Sequence, residues 1–116
     1  MSLPRNKSDC GIAAVATVTG RSYAEVKRRF GRLERGGMLL HELDWLLNEY
    51  GSWHSVAPRK RSLPAEWIKR HSAGAFVVVL DSDPFSGQTH AIAAVDGRWV
   101  GEFAETWEVC QYWYRR

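Results

Sequence analysis

The sequence has little of what several architectures require. It has two cysteines, Cys10 and Cys110, near opposite ends of the chain. That is too few for the disulfide framework of a small secreted scaffold, and with a reducing location expected both are read as free thiols. The two cysteines and four histidines show no ligand-like spacing, so no metal site and no cofactor are expected. The longest unbroken apolar run, Ala75 to Leu80, falls far short of the roughly 20 residues that span a bilayer. No signal-peptide core marks the N-terminus, and a cytoplasmic protein is expected. Internal repeats and Ser-, Gly- or Pro-rich tracts are absent, which excludes a solenoid and a disordered linker. Strong charge is missing too: the net charge is +3, with basic residues bunched in KRRFGRLER (27–35) and PRKR (58–61). No nucleic-acid motif accompanies these clusters, so they are read as solvated surface and nucleic acid is not an expected partner.

What is present is a chain of 116 residues, 45% hydrophobic and 25% charged, which suits one globular domain over residues 1–116. In SDCGIAAVATVTG (8–20), Ser8 or Asp9 caps a helix that carries Ile12, Val15, Ala16 and Thr19 at helical spacing and stops at Gly20. Ser22-Tyr23-Ala24-Glu25 is a capping box for a second helix through Val26 and Phe30 to Gly31. A third follows Gly36-Gly37, with Leu39, Leu43, Leu46, Leu47 and Tyr50 on one stripe. A short strand at 53–57 and a Pro-initiated helix at 64–70 lead to a β-rich half. There FVVVL, THAIAAV, RWVGEF and VCQYWYR read as strands, DSDPFSGQ as a loop and Asp96-Gly97 as a two-residue hairpin turn. The fold class expected is α+β, a helical N-terminal half packed on a C-terminal antiparallel sheet.

Cys10 falls in the first turn of the first helix, where unpaired backbone N–H groups and the helix dipole favour a thiolate. Gly11 leaves room for an approaching carbonyl. A nucleophilic cysteine needs a base nearby. His41 lies within a helix, His54 in a short strand and His71 at a helix end, each with an adequate structural explanation. His90 instead follows a loop and opens a strand, which places its ring at the sheet's rim.

A histidine base in turn needs an orienting partner. If Asp96-Gly97 is a two-residue turn, Val95 pairs with Arg98, and counting on sets His90 opposite Phe103 and Gln88 opposite Glu105. Glu105 then shares a face with His90, whereas Glu102 points away unless a bulge shifts the register. Asp96 is excluded, since six residues of strand separate it from His90 by about 20 Å.

DCG heading a small-residue helix, then THAIAAV, a hairpin and E-T-W much later, resembles the papain-like cysteine peptidases in reduced form. SDCGIAAVATVTG, SYAEV and GGMLLHELDWLLNEYG together are more similar still to bacterial bacteriocin-leader peptidases and their small phage and bacterial relatives. The resemblance implies a minimal papain-like domain in which Cys10 is the nucleophile, His90 the general base and acid, Glu105 the orienting residue, with Glu102 its alternative, and Trp107 a shield over that pair. The family's oxyanion glutamine lies six residues before the cysteine. Here that position is Pro4, and Asn6 is the replacement the sequence offers.

The implied activity is thiol hydrolysis of a peptide or isopeptide amide through an acyl-enzyme, on a peptide or protein substrate. The alternative is a papain-like protein, phage or bacterial, that has lost catalysis and grips a protein partner. Of the six tryptophans, most are expected in the core, with Trp107 the exception.

Overall fold

The computed structural model describes residues 10–30, 40–83 and 88–115. Among them the order is α1 (Cys10–Thr19), α2 (Tyr23–Phe30), α3 (Leu40–Asn48), β1 (Trp53–Val56), α4 (Pro64–Arg70), β2 (Ala75–Asp83), β3 (Gln88–Val95), β4 (Arg98–Val100) and β5 (Glu108–Arg115). The five strands form one sheet in the order β1-β5-β2-β3-β4, antiparallel at every step. The protein is α+β.

α1 is the central helix because it is apolar on nearly every side: Gly11 to Ala16 and Val18 are all buried. Its alanines keep the helix slim enough to lie close on the sheet, and Thr17 and Thr19 return their hydroxyls to the carbonyls of Ala13 and Val15 at 2.9 and 2.7 Å. Gly20 ends it at φ +70°, and the N–H of Arg21 reaches back to the Ala16 carbonyl at 3.1 Å, the long bond of a Schellman cap. Ser22 caps α2 through its hydroxyl, which accepts the N–H of Glu25 at 3.1 Å. The helix boundaries expected at Gly31 and after Gly36-Gly37 lie outside the described residues.

β2 explains why the molecule is layered on both sides of its sheet. Val77 and Val79 face the cluster built with α1, α2 and α3. Phe76, Val78 and Leu80 face a second cluster with Trp67 of α4, Trp99, Phe103 and Trp107. A strand apolar on both faces needs cover on both. Each fully buried Val or Leu then contributes about 1.5–3 kcal/mol. This refines the expected two-layer arrangement, because α4 packs on the face opposite the other helices and β1 joins the sheet beside β5. β2 also continues through Asp83, so Asp81–Asp83, expected in a loop, are strand.

The Asp96-Gly97 turn forms as expected, with φ +49° and +81°, the signs of a type I′ turn. Asp96 also ties this turn to Gly74, donating its N–H to the Gly74 carbonyl and accepting the Gly74 N–H on Oδ1, both at 2.9 Å. Trp53, Trp67 and Trp113 are core residues, and the Trp113 indole donates to Asp44 of α3 at 2.9 Å. No helix among the described residues is long and apolar enough to cross a membrane.

Candidate functional site

Cys10 is the first residue of α1 and half-buried. His90 is the third residue of β3, paired to Leu80 across the ladder. β4 pairs only with Ala93–Val95, so His90, Ala91 and Ile92 have no partner strand on that side among the described residues. The N-terminal end of α1 closes over this open stretch. The result is a recess of about 10 Å³ lined by Cys10, Ala13, His90, Ala91, Gly101 and Glu102, among others. Cys10 and His90, 80 positions apart in the sequence, thus meet at one concavity.

The geometry on the far side of the His90 ring departs from the sequence reading. The hairpin register is as counted, Val95 opposite Arg98, but the ladder ends at Ala93–Val100. Gly101, at φ +128°, turns the chain away, so the extrapolated pairs His90–Phe103 and Gln88–Glu105 do not form. Glu105 lies exposed in a turn that the Trp107 N–H closes on the Ala104 carbonyl at 3.1 Å. Glu102 stands beside His90, yet its side chain is exposed as well. Neither carboxylate is hydrogen-bonded or ion-paired to His90. What meets the ring is the main-chain carbonyl of Glu102, 3.1 Å from Nε2.

A carbonyl oxygen only accepts, so Nε2 carries the proton in this bond and Nδ1 is left with its lone pair. Burial pushes the His90 pKa below the ordinary histidine value, and the Glu102 carbonyl offsets part of that shift. The ring is therefore held neutral, the form that accepts a proton. Trp107 stands over it, ring centroids 5.3 Å apart. Sequence reasoning missed the carbonyl because main-chain groups carry no residue signature. Gly101, a lone glycine within the apparent strand RWVGEF, was the available signal.

Asn6 and Pro4 lie outside the described residues, so the oxyanion assignment has no geometry. The remaining histidines keep structural roles or stand at the surface. His71 donates Nδ1–H to the Trp67 carbonyl at 2.8 Å and stacks on that indole at 4.1 Å. His54 stacks on Tyr114 at 5.6 Å, and His41 is exposed. Among the described residues no three His, Cys, Asp or Glu side chains gather in a way that would hold a metal ion.

Searches with the chain against protein-family models, curated proteins and solved structures find no match.

Proposed function

We propose that the protein is a small papain-like thiol hydrolase that cleaves peptide or isopeptide amides, with Cys10 as nucleophile and His90 as general base. The observation that carries this reading is the shared recess: a cysteine at a helix N-terminus and a neutral histidine whose Nδ1 keeps its lone pair line the same concavity. Nδ1 takes the thiol proton as sulfur attacks the amide carbonyl, and the C–N bond of the resulting tetrahedral adduct then breaks. The proton on Nδ1 passes to the departing amine and leaves an acyl thioester on Cys10. Water, deprotonated by the same nitrogen, hydrolyses that ester and restores the thiol. The N-terminal end of the α1 dipole favours the thiolate and the oxyanion.

The second reading, a fold that has lost catalysis and binds a protein partner, draws support from the size of the recess. At about 10 Å³ it holds no more than a single water molecule. A substrate must then bind across the surface at Cys10 rather than sink a side chain beside it.

The deciding experiment follows iodoacetamide alkylation of each cysteine against pH by mass spectrometry, in the wild type and in His90→Ala. The hydrolase reading expects Cys10 to label rapidly well below pH 8, and about 100-fold more slowly without His90. Slow labelling of Cys10, or the same rate in both proteins, leaves the binding reading.

A further inference from the structure

We propose that the group orienting His90 is the main-chain carbonyl of Glu102, presented by Gly101, and that no acidic side chain takes this part. The inference rests on the assignment of His90 as the base. Three features support it beyond the 3.1 Å contact itself. The first is the backbone that delivers the carbonyl. Gly101 sits at φ +128°, and a Cβ added there would meet Cγ1 and Cδ1 of Ile92 at 3.3 Å. A side chain is thus opposed both by the dihedral and by the close approach to β3, which is the situation in which a strand keeps glycine. The turn at Gly101 stops the ladder after Val100 and swings the next carbonyl toward the His90 ring.

The second feature is the seat of the ring. The Trp107 ring lies against the imidazole at 5.3 Å, and Trp107 also packs into the cluster of Leu80, Ile92 and Val109. The hydrogen bond itself is exposed, so what the indole adds is a fixed seat for the ring beside its acceptor. The third is charge. A carboxylate paired with the ring would favour imidazolium strongly, whereas a neutral carbonyl fixes orientation and tautomer with a weaker pull. Burial then outweighs that pull and the resting ring stays neutral.

The test reads the tautomer directly, by 15N NMR of the protein labelled at histidine. The expected result is one His90 tautomer protonated at Nε2 near pH 7.5, retained in Glu102→Ala and in Glu105→Ala. Replacing Phe103 with its α-hydroxy acid converts the Glu102 carbonyl to an ester, a poorer acceptor, without altering any side chain. That change is expected to mix the tautomers and to slow Cys10 alkylation several-fold. Gly101→Ala, which displaces the carbonyl, is expected to cost about 10- to 100-fold in the same rate. Urea unfolding of each variant separates loss of orientation from loss of fold. Protonation at Nδ1, a tautomer that Glu102→Ala or Glu105→Ala disturbs, or indifference to the ester would overturn the proposal however fast Cys10 reacts. An inert Cys10 beside an Nε2-protonated, ester-sensitive His90 upholds the placement of the carbonyl and removes the hydrolase reading alone.

Discussion

The two cysteines of this chain have the same nominal exposure and unlike surroundings. Both are half-buried cysteines. Cys110 lies in β5 where the ladder to β2 slips: Val79 pairs with Gln111 and Leu80 with Val109, which leaves Cys110 as the extra residue of a bulge. Its thiol donates to the Val79 carbonyl at 3.4 Å, and burial pushes its pKa up while the Arg61 guanidinium offsets only part of the rise. Cys10 opens a helix and shares a recess with a neutral imidazole. Under the proposed function, exposure alone does not distinguish the reactive thiol from the structural one. A backbone that favours the anion and a base within the same concavity do.

The largest effect expected from breaking this contrast is on covalent capture. A panel of peptidyl vinyl sulfones, which trap an activated thiolate, is expected to modify Cys10 and spare Cys110. Cys110→Ser keeps the adduct, while Cys10→Ser reduces it by more than about 100-fold. Intact-mass analysis with peptide mapping decides the matter. Adducts spread evenly over both thiols would erase the distinction between the two sites.

The next effect is smaller and has opposite signs at the two places. His90 has a lowered pKa in the fold, so between the ordinary value of 6.5 and that lowered value the unfolded chain binds a proton the folded chain refuses. Its stability is complete above pH 6.5 and is lost as pH falls through the folded pKa. Cys110 has a raised pKa, so above the ordinary value of 9.0 the unfolded chain sheds a proton the folded chain keeps. Its stability is complete below pH 9.0 and is lost as pH rises through the folded pKa. Urea unfolding at pH 5, 7.5 and 10 is expected to show the wild type weakening at both ends. His90→Ala removes part of the acid limb only, and Cys110→Ala part of the alkaline limb only. A His90→Ala protein with an unchanged acid limb would show that the ring is not held neutral.

Much of the frame around these two thiols was legible because it is set by local chemistry. Gly20, Ser22, Pro64 and Asp96-Gly97 each mark a boundary through a backbone requirement that depends on near neighbours, and the described structure places ends and turns at each. Cys10 and His90 were legible as candidates for the same reason, one at a helix start and one at a strand start. What escaped was set by contacts between distant segments. The pairing of β1 with β5 joins residues about as far apart as Trp53 and Arg115, and neither stretch states its partner. The bulge at Cys110 depends on how β5 fits β2, and the continuous apolar run of β2 hides which residues face which layer. At the site, counting along an ideal ladder carried Glu105 to His90 because Gly101 was treated as an ordinary strand residue.

The smallest effect sharpens the Cys110 side alone. Arg61 makes a half-exposed ion pair with Asp81, Nη1 to Oδ2 at 2.8 Å, and its charge also reaches Cys110. An exposed pair of this kind contributes between nothing and about 1 kcal/mol, so Arg61→Ala should hardly change unfolding in urea. Its effect on Cys110 should be clearer, because the guanidinium lowers the thiol pKa while Asp81 and burial raise it. Without Arg61 the opposing influences act alone, and Cys110 alkylation at pH 8.5 is expected to fall a few-fold. Adding salt should lessen that difference, since the charge acts partly through solvent. Cys10, which lies at the α1 end of β3 with its own histidine, should label at an unchanged rate in the same samples. A parallel fall at both thiols would mean that Arg61→Ala acts by tightening the whole fold against opening, and the two neighbourhoods would then not be electrically separate.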